Sequence, residues 1–564
     1  MTDRPRTPAW AVVGLVLALA FATAWRWHTM GPSALSRPFE GWLVRSGETE
    51  PLDCDEALYA FMGKRILRGD FLYRDLVENK PPLGYGLYTL AVAAGGANET
   101  TVRVMPIPYV LGTLALVWWL ALRMGGPLAA VFAGFAFAVA DADPYVFGNG
   151  ANMEHFVNLF SVASLALMAG TLARVDRRGW GLVGVGFLVG LATLVKQPSA
   201  SHGLVFAGFV ALDRTRPIRG RCVDLARLAG GFMAACVLIL GGLLLYQGAG
   251  ASAYECIITF AEATRSDIAP AANAPPFLVR LVAGNADPQG ALPWPFGKTT
   301  YYAWWGAGLW PLWLAGVVAT GRLILGRGGE GSGSASLRRL VGWFAISCWV
   351  QVALPGQFWQ HYYLLAVPGT VLAASVWLAD GLGGLRAGPG RIVRGMIVAA
   401  LIAAAGWPLH IQARDYLGRT PEEITTAIKG GGQWVELRRF GREIAQRTRT
   451  WREPRLFLWG WQSPLYLYGN LAPASRHLFV NDLLRDRAGT DHPLIGRWTE
   501  EILDDLKADP PELIFAGYPP FPALRSILES RYVPSGLASP YGRALRIEPG
   551  RLGAFERAIV TPPR

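Results

Sequence analysis

Carboxylates and cations follow one another in a polar stretch near the start of the sequence. Asp53, Asp55 and Glu56 come first, Lys64 follows about two helical turns later, and Lys80 stands directly before two prolines. A carboxylate can take a proton from an acceptor hydroxyl, and a cation can hold a phosphate. In a chain as apolar as this one, the combination predicts chemistry on a phosphorylated lipid.

The acidic cluster also has a structural interpretation. Asp53 and Glu56 have the spacing of a capping box at the start of a helix over 55–69, although the usual first residue is Ser or Thr. Two roles are therefore open for Asp53. Adjacent acids at a membrane boundary are costly to hold unless something uses them, and a helix N-terminus keeps a carboxylate ionised. We therefore take Asp55 and Glu56 as candidate catalytic residues.

A second acidic candidate is Glu154, in the stretch GNGANMEHFVNLF. It can favour the first turn of a helix simply because an acid complements the helix dipole there. Alternatively, it faces the first loop across a cleft, where it orients an acceptor or helps to hold a cation. Glu154 is the third candidate catalytic residue.

Four residues are candidates for binding a donor phosphate. The proline after Lys80 holds its backbone extended, so that its side chain can be aimed. Lys196 lies between two apolar runs, where a lysine either snorkels to the surface or binds an anion. Arg265 and His361 are weaker candidates, since His361 adjoins tyrosines that are typical of interfacial anchors.

The composition indicates a membrane protein. The chain has 564 residues, of which 52% are apolar and 17% charged, whereas a soluble domain has about 25% charged residues. The charge deficit ends near residue 410, which predicts a membrane domain over 1–410 and a soluble domain over 411–564. Five cysteines are too few for a disulfide scaffold, although Cys54 and Cys256 fall on the same predicted side, so that a disulfide between them is allowed. No metal-ligand spacing appears, and a divalent cation is left open as a cofactor.

Apolar runs of near-membrane length predict about eleven transmembrane helices. The runs are 8–28, 103–122, 127–146, 154–173, 179–195, 198–213, 228–248, 300–322, 339–354, 362–380 and 392–409. The first is also compatible with a cleaved signal peptide.

The arginines orient these runs. The net charge is +12, and the arginines gather in alternate loops, which predicts a cytoplasmic N-terminus and an extracytoplasmic C-terminal domain. This accounts for the charge without a nucleic-acid partner, and no nucleic-acid motif is present. The outer segments are then 29–102, 142–153 and 249–299. The pattern requires that 83–97 lies at the membrane interface without crossing it.

The C-terminal domain alternates helices with short apolar strands. A helix is predicted to end near Thr448, strands over 455–461 and 512–518, and a helix over 498–511. This order is typical of a small α/β layer. The predicted fold class is thus an all-α polytopic membrane bundle with a small C-terminal extracytoplasmic α/β domain.

The sequence resembles the GT-C glycosyltransferases of the dolichyl-phosphate-mannose protein mannosyltransferase and lipid A aminoarabinose transferase superfamily, in its bacterial PMT-2 or RgtA/B/C/D-like branch. The resemblance rests on these motifs: DEALYA at 55–60, GDFLYRD at 69–75, KPPLGY at 80–85, ANME at 151–154, TLVKQ at 193–197 and WGWQSPLY at 459–466.

The resemblance implies a multispan GT-C bundle and a polyprenyl-phosphate sugar donor. It implies that Asp55 and Glu154 are the acidic residues of the first and second outer loops, and that Lys80 contacts the donor phosphate. The acceptor would be a glycan, a lipid or a protein of the cell envelope, and membrane lipids surround the bundle. Aminoarabinose transferases have Glu directly before the lysine, but here Asn79 intervenes after Glu78, which weakens any cation-binding role for that glutamate.

Together with this resemblance, the residues suggest a mechanism. Asp55 would act as general base in an inverting transfer, while Lys80 and Lys196 stabilise the leaving phosphate. This hypothesis requires these three side chains to converge on one extracytoplasmic pocket. A transporter or flippase is the alternative, but it would need charges deep inside the spans. A purely structural membrane protein would not need the acidic and lysine motifs together.

Overall fold

The computed structural model describes residues 7–30, 48–172, 178–246, 250–260, 301–326, 333–383, 385, 390–429, 431–478, 480, 492–540 and 542–547. The chain divides into two compact units. The first unit comprises Met1–Glu48, Arg103–Gly241 and Pro270–Ile424, and the second comprises Thr49–Val102, Gly242–Ala269 and Thr425–Arg564. The predicted boundary at residues 410 and 411 stays a prediction.

Helices dominate the described chain. In chain order they are α1 Ala9–Trp27, α2 Cys54–Leu67, α3 Pro82–Gly95, α4 Glu99–Val104, α5 Ile107–Asp141, α6 Met153–Leu172, α7 Arg178–Val195, α8 Ala200–Ala211, α9 Ile218–Tyr246, α10 Gly250–Tyr254, α11 Trp310–Leu325, α12 Gly333–Ala353, α13 Val367–Gly383, α14 Arg391–Leu417, α15 Pro421–Ile428, α16 Gln433–Thr448, α17 Pro464–Tyr468, α18 Pro493–Ala508 and α19 Pro522–Arg531. Short 3₁₀ or π turns occupy Pro144–Val146, Gln197–Ser199, Glu255–Thr259, Tyr302–Gly306 and Gln360–Ala366.

Each apolar run predicted from the sequence overlaps a helix. The runs at 103–122 and 127–146 form the two halves of α5, which breaks at Gly126 with φ 80° just before Pro127. The proline lacks an N–H for the helix ladder, and the glycine reaches a left-handed conformation without a side-chain clash. Six helices of the described chain are long and apolar enough to cross a membrane, and two shorter ones are also apolar. The total of about eleven spans stays a prediction.

The first helix belongs to the bundle of the first unit. Ala11 of α1 shares a buried cluster with Trp118 and Ala130 of α5. A Cβ atom at Gly14 would come within 2.6 Å of Val131, so the glycine lets α1 approach α5 closely. The choice between a retained helix and a cleaved signal peptide for residues 8–28 stays a prediction.

Glycines also bring α7 and α9 together. A Cβ atom at Gly186 would lie 1.9 Å from the carbonyl oxygen of Leu228, and one at Gly231 would lie 1.9 Å from that of Val183. Both distances are far below van der Waals contact. The two backbones therefore touch directly, as small residues allow in helix pairs of membrane proteins.

The second unit contains a five-stranded sheet with the order β2-β1-β3-β5-β4. Its strands are β1 Arg455–Trp459, β2 Ala472–Pro473, β3 Leu513–Ala516, β4 Tyr532–Ser539 and β5 Gly542–Ile547. β1 is parallel to β2 and β3, with Leu456 opposite Leu513. β5 is antiparallel to β3 and β4.

The fold class predicted from the sequence is confirmed as a helical membrane chain with a small C-terminal α/β layer. The predicted strands over 455–461 and 512–518 are β1 and β3, and the helix predicted to end near Thr448 is α16. The sequence interpretation missed β2, β4 and β5. β4 contains proline and glycine, and β5 begins with glycine; both residue types weaken a strand signal.

Candidate functional site

The N-terminus of α2 is a capping box. The Asp53 carboxylate accepts a 2.9 Å hydrogen bond from the backbone N–H of Glu56, and the Glu56 carboxylate accepts a 3.2 Å hydrogen bond from that of Asp53. This confirms the structural interpretation of Asp53. Glu56 is buried and its carboxylate is occupied in the cap, whereas Asp55 is half-buried.

The acids at this helix start repel one another. Burial raises the pKa of Asp53 well above its usual value, and the charges of Glu56 and Asp55 raise it further. Lys429 of the same unit opposes this shift. The cap is therefore held together at an electrostatic cost.

Asp55 lies beside Cys54 and Tyr59 on α2. Burial raises the pKa of the Tyr59 hydroxyl well above its usual value, and the negative charges of Asp55 and Glu78 add to the shift. Burial likewise raises the pKa of the Cys54 thiol, and Asp55 is the largest charge that raises it further. The charges of Asp55 and of Glu78, which lies in the segment before α3, thus both act on the buried hydroxyl of Tyr59.

Lys80 belongs to the same surroundings. Its ammonium nitrogen lies 5.1 Å from the ring centroid of Tyr59 and 3.6 Å from the Glu78 carboxylate. Its positive charge also opposes the upward pKa shift of Cys54. The predicted base and the predicted phosphate ligand therefore lie in one unit beside neighbouring residues of α2: the Asp55 carboxylate lies 3.9 Å from the Cys54 thiol, and the Lys80 ammonium lies over the Tyr59 ring.

In the first unit, Glu154 and Lys196 form an ion pair. Glu154 lies in the first turn of α6, and its side chain is 1% exposed. Lys196 lies between α7 and the Gln197–Ser199 turn, where its extended backbone ends the helix, and its side chain is 6% exposed. The predicted second acid and the predicted phosphate ligand therefore neutralise one another in this structure.

His361 and Tyr362 complete this cluster. The Nε2 atom of His361 lies 3.9 Å from the Glu154 carboxylate. The Lys196 ammonium lies 3.7 Å from the ring centroid of Tyr362, a distance typical of a cation–π contact. Three predicted site residues are thus adjacent, and a tyrosine expected to be an interfacial anchor contacts the lysine.

A buried polar cluster that the sequence interpretation missed joins α1 to α5. The Arg26 guanidinium contacts the Asp141 carboxylate at 2.6 Å and the carbonyl oxygen of Gly148 at 3.1 Å, and Nδ1 of His155 lies 3.4 Å from Asp141. Arg26 closes an apolar run and resembles an ordinary flanking charge. The only signal in the sequence is the presence of ionisable residues inside predicted spans.

Other site predictions remain open. Arg265 lies outside the described residues. The convergence of Lys196 with Asp55 and Lys80 stays a prediction, because these residues belong to different units. Cys54 and Cys256 are not bonded to each other. Within the described ranges, no group of three His, Cys, Asp or Glu residues could hold a metal ion.

Comparison with known proteins supports a family resemblance over part of the chain. Residues 79–240 match the family model described as dolichyl-phosphate-mannose-protein mannosyltransferase. This range includes Lys80, Glu154 and Lys196. A comparison with curated proteins finds no significant match.

Solved structures share the fold over most of the chain. The structure of ArnT from Cupriavidus metallidurans in the apo state has a TM-score of 0.55 and 16% identity, over 95% of this chain and 97% of that one. The archaeal oligosaccharyltransferase AglB from Archaeoglobus fulgidus, in complex with an inhibitory peptide and a dolichol-phosphate, has a TM-score of 0.51 and 14% identity, over 90% and 69% of the two chains. The chain is an integral membrane protein with the fold of these two structures.

Proposed function

Since this chain has the GT-C fold and resembles the dolichyl-phosphate-mannose-protein mannosyltransferases over residues 79–240, we propose that it is a membrane glycosyltransferase. It takes a sugar from a polyprenyl-phosphate donor and transfers it to a cell-envelope acceptor. The reaction takes place on the outer face of the cytoplasmic (inner) membrane, with the N-terminus of the chain in the cytoplasm.

The surroundings that Asp55 and Lys80 share at the start of α2 support this proposal. A half-buried carboxylate and a largely buried ammonium share the surroundings of Cys54 and Tyr59. A base for a hydroxyl group and a cation for a phosphate are the two charged groups that transfer from a phosphate-linked sugar requires. The dolichol-phosphate in the AglB structure is consistent with this donor class.

In the proposed reaction, Asp55 accepts the proton of the acceptor hydroxyl. The acceptor oxygen forms a bond to the anomeric carbon while the bond from that carbon to the phosphate oxygen breaks, so polyprenyl phosphate leaves from the opposite face. The anomeric configuration is inverted. General-base assistance of this kind contributes about 10²–10⁴-fold to the rate.

The cations act on the leaving group. The phosphate gains negative charge as its bond to the sugar breaks, so Lys80 stabilises the transition state more than the bound donor. We assign the same role to Lys196, and a supporting role to His361 and Arg265. Glu154 serves as the counter-ion of Lys196. Glu56 acts through the cap, since its carboxylate fixes the helical turn that carries Asp55.

A transfer assay with radiolabelled polyprenyl-phosphate sugar and extracted envelope lipids, glycans and proteins tests the proposal. Asp55→Asn should lower transfer by at least about 10²-fold while donor binding persists. Lys80→Gln should weaken donor binding as well as transfer. Transfer at the normal rate by Asp55→Asn would refute the assignment of the base.

Matched controls come from the exposed pair Asp504 and Lys507 on α18, whose side chains are 77% and 54% exposed. Asp504→Asn and Lys507→Gln make the same chemical changes in the same unit and should leave transfer unchanged. The assay also separates the alternative class. A flippase would move the labelled lipid across a vesicle membrane without forming a labelled acceptor.

A further inference from the structure

The loop formed by residues 71–80 is tightly closed and carries Lys80 at its end. Tyr73 donates its backbone N–H to the carbonyl oxygen of Leu76 at 2.9 Å, and Asp75 donates to that of Phe71 at 2.8 Å. The Asp75 carboxylate accepts a 2.8 Å hydrogen bond from the backbone N–H of Phe71. Three hydrogen bonds among so few residues fix the shape of the 71–80 loop.

Tyr73 connects this loop to Lys80 directly. Its side chain is fully buried, and its hydroxyl donates a 2.8 Å hydrogen bond to the backbone carbonyl oxygen of Lys80. Its φ is 70°, a conformation that a bulky residue adopts only at a cost in free energy. Such strain persists where surrounding contacts hold it, so other groups must keep Tyr73 in place.

Arg476, which follows β2, supplies those contacts. Its guanidinium donates to the carbonyl oxygen of Tyr73 at 3.3 Å, and its own carbonyl oxygen accepts a 2.9 Å hydrogen bond from the backbone N–H of Val77. The Glu501 carboxylate of α18 binds the same guanidinium at two nitrogen atoms, one of them at 2.9 Å. A two-point pair of this kind fixes the direction of the guanidinium.

The segment that follows α9 meets the same arginine. Glu255 lies 3.8 Å from Arg476, accepts a 2.6 Å hydrogen bond from the Trp498 indole, and forms an ion pair with Arg497. The thiol of Cys256 lies 4.0 Å from the carbonyl oxygen of Tyr73. Three segments that are distant in sequence therefore meet around Tyr73 and Arg476 within the second unit.

We propose that Tyr73 and Arg476 are positioning residues for Lys80: Arg476 holds the 71–80 loop on the C-terminal α/β layer, and Tyr73 transmits this constraint to the Lys80 backbone. The inference rests on the proposed role of Lys80 in binding the donor phosphate. It gives the C-terminal layer a function in the transfer reaction, since an aimed ammonium loses less freedom when a phosphate arrives.

Two variants with matched controls test this inference in the full-length protein. Tyr73→Phe removes only the hydroxyl, and its control is Tyr532→Phe, since Tyr532 is also buried and donates one 2.9 Å hydrogen bond to a backbone carbonyl oxygen. Arg476→Gln removes the guanidinium, and its control is Arg447→Gln on the exposed face of α16.

Amide hydrogen exchange over residues 71–80 should accelerate in Arg476→Gln and stay unchanged in Arg447→Gln. In the transfer assay, Tyr73→Phe should lower kcat/KM for the donor roughly fivefold, the effect of one net hydrogen bond. The same change should have no further effect in a Lys80→Gln background. The control Tyr532→Phe should change kcat/KM by the same factor in the wild-type and Lys80→Gln backgrounds.

The inference is overturned if amide exchange over residues 71–80 is unchanged in Arg476→Gln. It is also overturned if Tyr73→Phe lowers kcat/KM by the same factor in the Lys80→Gln background as in the wild type. Failure of the proposed function has a different signature. In that case the wild-type protein forms no labelled acceptor at all, while the exchange comparison still decides whether Arg476 holds the loop.

Discussion

The ammonium group of Lys196 and the carboxylate of Glu154 form a buried ion pair between the end of α7 and the start of α6. Both side chains are almost fully buried, and each charge neutralises the other. Removing one partner of a buried pair typically costs about 3–5 kcal/mol, because an uncompensated charge stays behind.

Glu154→Gln should therefore lower the melting temperature of the full-length protein in detergent. The double variant Glu154→Gln/Lys196→Met should be more stable than the sum of the single effects predicts, since neither charge remains. Asp380→Asn is the control, because the Arg338–Asp380 pair is partly exposed and such pairs contribute about 0–1 kcal/mol. Strict additivity of the Glu154 and Lys196 variants would contradict the coupling.

The cap on α2 predicts a pH-dependent effect. Burial and the neighbouring carboxylates raise the pKa of Asp53 above its unfolded value. The stability that this group contributes is present below pH 3.8 and is lost as the pH rises through the raised pKa. Asp53→Asn keeps a capping oxygen and does not titrate, so its melting temperature relative to wild type should increase with pH.

The control for this variant is Asp53→Ala, which removes the capping oxygen and does not titrate either, so it should be about 1 kcal/mol less stable than Asp53→Asn across the whole pH range. A melting-temperature difference between Asp53→Asn and wild type that stays constant with pH would contradict the repulsion inferred at this helix start. Because Asp55 is the proposed base, Asp53→Asn should retain sugar transfer.

The C-terminal layer should weaken in acid. Burial raises the pKa of Glu501, but the imidazole of His477, whose Nε2 lies 3.4 Å from the carboxylate, and the hydrogen bonds from Arg476 outweigh it and lower the pKa to about 2. Stability from this group is present above pH 4.5 and is lost as the pH falls towards 2. Burial lowers the pKa of His477, so a further loss begins as the pH falls through 6.5.

Thermal unfolding at a series of pH values separates the two groups. In His477→Gln, the melting temperature should fall less than in the wild type as the pH drops below 6.5. In Glu501→Gln, it should fall less than in the wild type below pH 4.5. Identical pH profiles for both variants and the wild type would show that neither group contributes to stability in acid.

The crossing of α7 and α9 predicts a sharp contrast between adjacent glycines. Gly231→Ala would place a Cβ atom 1.9 Å from the carbonyl oxygen of Val183, whereas a Cβ atom at Gly230 meets nothing within 4 Å. Overpacking typically costs about 1–3 kcal/mol, so Gly231→Ala should lower the melting temperature. Gly230→Ala should leave it unchanged or raise it, because alanine is the better helix former. Equal effects of the two variants would contradict the close approach.

Local patterns determined much of this structure. The capping box of Asp53 and Glu56 follows from their three-residue spacing, because a helix start needs acceptors at fixed offsets. The apolar runs fixed the positions of the helices of the first unit, since burial in lipid demands long apolar segments. The alternation of helix and strand also predicted α16, β1 and β3. All of these signals act between residues close in sequence.

Tertiary structure decided which charges meet. No sequence signal predicts which of these residues meet, because each contact forms by the packing of distant segments. The contacts are Lys196 with Glu154, Arg26 with Asp141, and Arg476 with Tyr73. The short strands β4 and β5 are likewise stabilised by pairing with β3 and with each other more than by their own residue preferences. The sequence by itself determined the types of the reactive residues and the helices that carry them. Their partners depended on the folded chain, since the energy of an ion pair or a hydrogen bond is set by distance and burial.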